Sequence, residues 1–240
     1  MIMAYKNPPT TTKKLEAPTG DYEQFLYSVS HDLQEPLRMV NSFLKLLDGK
    51  VGESLDEDSR KYLDYTIENA DRMKGMIYAL VELSRVNRSS EQIESVDLNE
   101  VIMDLTGMFE NNIVSHQAVI SSTALPHVMM IPGQAVDLFK IFLQNAFDNK
   151  GTRPLEIHIS NKMVGDRVEI SVKDNGIGIK PVYLDKVFEM FKRTDARSEK
   201  LGSGLAIARE IIKKYGGTIL LESTQGVGTT FTFTLPVVTI

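Results

Sequence analysis

A helical repeat runs through VSHDLQEPLRMVNSFLKLL, residues 29–47. With Val29 set at zero and about 100° per residue, the apolar side chains fall within about 40° of one line. They are Val29, Leu33, Pro36, Val40, Phe43 and Leu47. His31 falls near 200°, on the opposite side, and Asp32 lies on the flank at about 300°. The repeat therefore predicts a long amphipathic helix, residues 21–48, that presents a histidine and a neighbouring carboxylate to solvent.

A second amphipathic helix is predicted after a break at DGKVG, residues 48–52. Ser54 and Glu57 have the spacing of a capping box, and apolar residues then recur from Leu63 to Leu80 at three- and four-residue spacing. A lone hairpin of two such helices buries too little surface to be stable. We therefore expect a homodimer in which two hairpins form a four-helix bundle.

Beyond residue 90 the pattern changes to short strands alternating with helices. Helices are predicted over residues 97–109, 134–149 and 203–215, and strands over 118–125, 128–131, 155–160, 167–172, 218–222 and 229–235. The last four strands form two hairpins, and this mixture indicates an α+β two-layer sandwich. We expect three parts: a flexible leader (residues 1–20), a helical hairpin (21–90) and the α+β domain (91–240).

Composition restricts the chemistry. The 240 residues include no cysteine and four histidines, which excludes disulfides, zinc–thiolate sites, iron–sulfur clusters and a cysteine nucleophile. The net charge of −5 argues against a nucleic-acid partner. No apolar run approaches the roughly 18 residues that a membrane span requires, and the N-terminus lacks a signal-peptide core. We expect a cytoplasmic protein with no membrane segment in this chain.

Three polar motifs in the α+β part suit a nucleotide. DNGIGI, residues 174–179, follows a strand, and an Asp there can accept a hydrogen bond from an exocyclic amine. GSG, residues 202–204, opens a helix whose N-terminus favours phosphate. Asn145, late in a predicted helix, can coordinate Mg²⁺ through its amide oxygen. Each motif alone also fits an ordinary turn, a helix cap or a surface polar residue.

Five short motifs occur along the chain in the order in which a known family carries them. SHDLQEPLR (30–38) is like an H box, LQNA (143–146) an N box, DNGIGI (174–179) a G1 box, VFEMF (187–191) an F box and GSGLAI (202–207) a G2 box. Together they resemble the catalytic core of two-component sensor histidine kinases. The form of the H box looks most like the phytochrome-type subgroup.

The resemblance implies a dimerisation and histidine-phosphotransfer hairpin followed by a Bergerat-type ATP-binding domain. It implies that the γ-phosphoryl group of ATP passes to His31, with Asp32 as acid/base partner, and then to an Asp of a response-regulator receiver domain. The cofactors implied are ATP and Mg²⁺, with Asn145 as the metal ligand and Asp174 reading the adenine amino group. The implied nucleotide-binding residues are Asn145, Asp174, Gly176, Gly178, Lys192, Arg193, Gly202, Gly204 and Leu205.

Three departures from the family pattern keep alternatives open. Ile141 stands where a polar residue is usual, Asp148 where a basic residue is usual, and Lys200 replaces a lid glycine. They motivate a second hypothesis, a histidine phosphotransferase or pseudokinase of the same fold with a degenerate nucleotide site. A one-turn shift that makes Asn149 the metal ligand fits the pattern less well. Two other hypotheses are a chaperone-type ATPase, which would lack the His-bearing hairpin, and a purely structural dimeriser.

Overall fold

The computed structural model describes residues 19–88, 91–192 and 202–237. Its helices are α1 (Thr19–Val51), α2 (Glu57–Arg88), α3 (Leu98–Met108), α4 (Glu110–His116), α5 (Pro132–Asp148) and α6 (Gly204–Lys214). Its strands are β1 (Glu94–Asp97), β2 (Val119–Ser122), β3 (His127–Met130), β4 (Glu156–Val164), β5 (Arg167–Asp174), β6 (Ile219–Thr224) and β7 (Gly228–Pro236). A helical hairpin followed by an α/β sheet domain confirms the predicted fold class. Of the predicted leader, only its last two residues fall among those described, and they begin α1.

The turn between α1 and α2 differs from the prediction. α1 continues to Val51, through most of the predicted break at residues 48–52, and a 3₁₀ turn over residues 52–54 joins it to α2. The predicted capping box at Ser54 is wrong, because the Ser54 hydroxyl donates to the Val51 carbonyl (2.9 Å). Asp56 caps α2 instead: its Oδ1 accepts from the Ser59 N–H at 2.7 Å. A carboxylate one residue before the helix satisfies an unpaired N–H and complements the helix dipole.

α1 has two distinct apolar-lined faces. Ser30, Leu37 and Asn41 are buried against α2, and the Asn41 amide donates to the Ala70 carbonyl at 3.4 Å. The predicted apolar stripe points elsewhere, and its large aliphatic and aromatic side chains are 38–62% exposed. They are Val29, Leu33, Val40, Phe43 and Leu47. The stripe therefore lies on the surface of the single chain.

The main sheet has five strands in the order β2-β4-β5-β7-β6. β2 pairs with β4 in parallel, and the other neighbours are antiparallel. The two predicted hairpins, β4–β5 and β6–β7, are confirmed. The sequence did not predict β1, which pairs with β3 in a separate two-stranded sheet, nor the seven-residue α4.

One core joins the sheet to the helices. α3, α5 and α6 cover a single face of the sheet, and their apolar residues form one cluster with alternate residues of β4, β5 and β7. At its centre Phe142 lies 5.1 Å from Phe231 and 5.2 Å from Phe233, ring to ring. Full burial of one such side chain is worth about 2 kcal/mol, so this layer fixes α5 and α6 firmly above the sheet. Within the ranges described above, no helix is long and apolar enough to cross a membrane.

Candidate functional site

His31 lies on the exposed side of α1, as its helical position predicts. Its ring is 71% exposed, and its Nδ1 lies 3.4 Å from Oδ1 of the exposed Asp32. A carboxylate at Nδ1 favours the tautomer with a proton on Nδ1, which places a lone pair on Nε2. One turn later Glu35 accepts two hydrogen bonds from Arg38, at 3.1 and 2.8 Å, and these lower the pKa of Glu35. The His31–Asp32 pair can therefore present a nucleophilic imidazole to solvent.

A pocket of about 860 Å³ opens where α2, α5 and α6 meet. Its walls are the last turns of α2, one face of α5, the loop after β5 and the start of α6. Six of the predicted nucleotide-binding residues line it: Asn145, Gly178, Lys192, Gly202, Gly204 and Leu205. A cavity of this size with convergent polar groups is suited to a nucleotide-sized ligand.

Asp174 is buried next to the pocket and is not one of the residues that line it. Only 7% of it is exposed, and its Oδ1 accepts from the N–H groups of Gly176 (2.8 Å) and Thr229 (3.3 Å). Burial raises the pKa of Asp174, and these two hydrogen bonds act in the opposite direction. Thr229 itself lines the pocket. The carboxylate is thus held by two backbone N–H groups, one of which belongs to the pocket-lining Thr229.

The two glycines of the DNGIGI loop are required by the protein's own backbone. A Cβ on Gly176 would collide with the Asn149 carbonyl, and one on Gly178 with the Thr224 carbonyl. Gly178 also has a φ of 65°, a conformation that side-chain-bearing residues rarely adopt. The sequence predicted glycines because backbone must approach a ligand closely. The structure gives another reason, since these glycines dock the loop onto α5 and the β6–β7 turn.

The two ends of the segment between the F and G2 boxes meet at the pocket edge. The Phe191 N–H donates to the Gly202 carbonyl at 3.0 Å, and a Cβ on Gly202 would collide with the Lys192 carbonyl. Lys192 lines the pocket and lies 3.9 Å from Glu189. Arg193, the other basic residue predicted here, lies outside the described residues.

Four polar residues at the C-terminal end of α5, the C-cap Asn149 among them, line the pocket: Gln144, Asn145, Asp148 and Asn149. Asn149 Nδ2 donates to the Asn145 carbonyl at 2.8 Å and to Asn145 Oδ1 at 3.2 Å. Gln144 Nε2 donates to Asp148 Oδ1 at 2.6 Å. Carboxylate and amide oxygens are ligands that Mg²⁺ accepts, so the donor set fits this cation. No group of three or more His, Cys, Asp or Glu in the described parts of the chain could hold a metal alone.

The hairpin also contributes to the pocket, which sequence reasoning missed. Glu82, Arg85 and Val86 of α2 line it, but no described residue of α1 does, so His31 lies outside. The Val86 carbonyl accepts from Gln134 Nε2 (2.9 Å) and from Lys214 Nζ (2.6 Å). No local sequence signal marks these contacts, because the partners are 48 and 128 residues apart.

Two family models match the chain. One, described as "His Kinase A (phospho-acceptor) domain", matches residues 21–89. The other, described as "Histidine kinase-, DNA gyrase B-, and HSP90-like ATPase", matches residues 132–239. The two matches therefore fall on the α1–α2 hairpin and on the part of the chain that contains the pocket.

Similar proteins carry the same two parts. The phytochrome-like protein Cph1 of Synechocystis sp. is 32% identical over 94% of this chain and 30% of its own length. The sensor protein kinase WalK of Staphylococcus haemolyticus is 33% identical over 89% of this chain and 36% of its own. The chain thus spans about a third of these curated relatives. Full-length ShkA, solved with AMPPNP, shares the fold with a TM-score of 0.66 at 22% identity, over 91% of this chain and 46% of that one.

Proposed function

Since this chain belongs to the sensor histidine kinases, we propose that it transfers the γ-phosphoryl group of ATP to His31 and then to an aspartate of a response-regulator receiver domain. The observation that carries the proposal is the presence, in one chain, of an exposed imidazole–carboxylate pair and a nucleotide-sized pocket. Neither feature alone distinguishes a kinase from a polar surface or from another ATPase.

In the proposed reaction His31 is the nucleophile. The bond from Nε2 to phosphorus forms as the bond from phosphorus to the ADP oxygen breaks, and Asp32 accepts the Nδ1 proton that the phosphorylated ring releases. Catalysis then depends mainly on positioning and charge neutralisation. Because no described residue of α1 lines the pocket, transfer requires the ATPase part to move relative to α1, or the pocket of a second copy to reach His31.

The nucleotide-binding roles are part of the same proposal. We assign Asn145 to Mg²⁺, which supplies charge neutralisation at the phosphates, and Asp174 to the adenine amine. Gly176, Gly178, Gly202 and Gly204 shape the loops, and Leu205 borders the pocket at the start of α6. Lys192 and Arg193 supply positive charge for phosphate. The support is the shared pocket wall and the buried acceptor next to it.

We also propose an oligomeric state and a location for the protein. We assign a homodimer, because the exposed apolar stripe of α1 needs a partner surface. We assign the cytoplasm, because ATP and the receiver partner are available there.

A second candidate function is a phosphotransferase or pseudokinase that uses His31 but binds no nucleotide. Ile141 favours it, since this apolar side chain borders the pocket and would contact a Cβ on Gly204. The hydrogen bond from Asn149 to Asn145 Oδ1 favours it too, because it engages the proposed metal ligand. Calorimetry with MgATP separates the two candidates, since the second predicts no binding heat.

The deciding experiment is labelling with γ-phosphate-labelled MgATP. We expect base-stable, acid-labile label on the wild type and none on His31→Gln, because glutamine has no nucleophilic ring nitrogen. His158→Gln, at an exposed strand position bonded to Ser121, is the matched control and should label normally. Label retained by His31→Gln, or absent from the wild type, would refute the kinase proposal.

A further inference from the structure

The proposed nucleotide groups follow one another along α5, from its C-terminal end towards its N-terminal end. At the C-terminal end the loop after Asp174 contacts the helix, since the Ile177 N–H donates to the Asn149 carbonyl at 2.8 Å. Asn145, the proposed metal ligand, lies one turn before Asn149 in the same pocket wall. Lys140 lines this wall a further five residues, or about 7.5 Å, along the helix axis. A nucleotide with its adenine near Asp174 and its metal at Asn145 therefore extends its phosphates towards Lys140.

Lys140 differs from the other cations of the pocket wall in having no ion pair among the described residues. Two more cationic side chains from the described parts of the chain line the pocket, Arg85 and Lys192. Arg85 lies 2.9 Å from Glu82, and Lys192 lies 3.9 Å from Glu189. The ammonium group of Lys140 can therefore contact a phosphate without breaking an ion pair.

The surroundings of Lys140 in the wall are negatively charged. Asp137, one turn before Lys140 on the same face of α5, also lines the pocket. Burial raises the pKa of Asp137, as do the charges of Glu82 and Glu91, and Lys140 lowers it. Lys140 thus offsets part of the negative charge that a phosphate meets at this end of the pocket. Its long, flexible stem lets the ammonium group turn from Asp137 towards a ligand.

We propose that Lys140 binds the terminal phosphate of the nucleotide, so that the pocket prefers a nucleoside triphosphate to a diphosphate. The inference rests on the proposed nucleotide pocket and adds a residue to it. An ammonium group donates charge-assisted hydrogen bonds to phosphate oxygens and, as a point charge, needs no planar geometry. Because Lys140 lies beyond the metal ligand, its contact is made with the phosphate that a diphosphate lacks. The same contact holds the terminal phosphate on the side of the pocket where α5 meets α2.

The test is calorimetry on the full chain in MgCl₂ with two probes, AMPPNP and ADP. For Lys140→Met we expect the affinity for AMPPNP to fall about five- to tenfold, the scale of a hydrogen bond between charged groups at an accessible position. The affinity for ADP should fall by less than about twofold, because only a screened, longer-range attraction is lost. Methionine keeps an unbranched stem at this exposed helical position, and circular dichroism checks that the variant is folded.

Lys213→Met is the matched control. It removes the same charge from a side chain that is 74% exposed in the last turn of α6 and does not line the pocket. It should leave both affinities unchanged. Lys140→Arg retains the charge and should keep most of the preference for AMPPNP.

The other outcomes overturn the assignment. If Lys140→Met weakens AMPPNP and ADP equally, Lys140 does not read the terminal phosphate, although the pocket still binds nucleotide. If neither affinity changes, Lys140 has no part in binding. If Lys213→Met lowers the affinity for AMPPNP as much, the net charge of the protein and not Lys140 is responsible. If the wild type binds neither probe, the nucleotide pocket itself fails, and the Lys140 assignment fails with it.

Discussion

Two opposing effects act on the pKa of the Asp174 carboxylate. Burial raises its pKa, and the N–H groups of Gly176 and Thr229 lower it by a smaller amount. The folded protein therefore holds the Asp174 proton more tightly than the unfolded chain does. By linkage, such a group stabilises the fold fully below its unfolded pKa, and this stabilisation is lost as the pH rises through the raised pKa of the folded state.

Asp174→Asn should therefore gain stability relative to the wild type as the pH rises through that window. The amide keeps an acceptor oxygen for the two N–H groups but carries no charge to bury. Urea unfolding followed by circular dichroism, repeated from acid to neutral pH, measures the difference. Asp166→Asn, at an exposed position in the β4–β5 turn, should show no such trend. A difference for Asp174→Asn that stays flat, or falls with rising pH, would contradict the prediction.

At the residue scale, the motifs predicted which glycines the site needs, but not the contacts that require them. Gly178 and Gly202 were predicted by motif, and both do have positive φ, 65° and 68°. The carbonyls that exclude a Cβ there belong to Thr224 and Lys192, which the motif does not contain. The hydrogen bond that the Gln144 amide donates to Asp148 was equally hidden, because no motif includes it.

At the element scale, the C-terminus of α2 is held by polar groups of the ATPase part. The last carbonyls of a helix lack intrahelical partners and lie at the negative end of its dipole. Gln134 and Lys214 donate to one of them, that of Val86. Burial lowers the pKa of Lys214, and Glu91 opposes this. The Tyr215 hydroxyl completes the group: it donates to Gln134 Oε1 at 2.6 Å and accepts from a backbone N–H.

Tyr215→Phe should destabilise the protein by about 1–3 kcal/mol, because it leaves the buried Ile131 N–H without its acceptor and Gln134 Oε1 without its donor. The urea midpoint by circular dichroism measures this loss. Tyr62→Phe removes the same hydroxyl from a side chain that is 71% exposed and should change stability by less than about 0.5 kcal/mol. Equal midpoints for the two variants would show that the hydroxyl of Tyr215 does not hold this junction.

Long, strongly periodic elements were predictable and short ones were not. The repeat from Val29 to Leu47 gave α1, and alternation with a Gly-containing turn gave β4 and β5. β1 has four residues and α4 has seven, too few for either period to stand out. The α2 cap was misassigned because two candidates, Ser54 and Asp56, stand two residues apart, and only the backbone path decides between them.

At the scale of the whole molecule, α1 has three faces with different roles. On the helical wheel the face against α2, which includes Leu37 and Asn41, is centred about 100° from the exposed apolar stripe. His31 lies about 100° further round, on the far side of the face against α2. A second copy that covers the stripe would therefore leave His31 open to a pocket or to a receiver partner.

Phe43→Glu should accordingly convert a dimer to a single chain, because it places a charge within the exposed stripe, on its most exposed side chain, which is 62% exposed in one copy. Light scattering coupled to size exclusion should give about twice 26.9 kDa for the wild type and 26.9 kDa for the variant. Met103→Glu puts the same charge on an equally exposed apolar side chain of α3 and should remain dimeric. A wild type that stays at 26.9 kDa as its concentration rises would remove the stripe as a dimer surface. If Met103→Glu also dissociates the dimer, the interface is not confined to the stripe on α1. The arrangement of the three faces of α1 would then no longer explain why a dimer leaves His31 accessible.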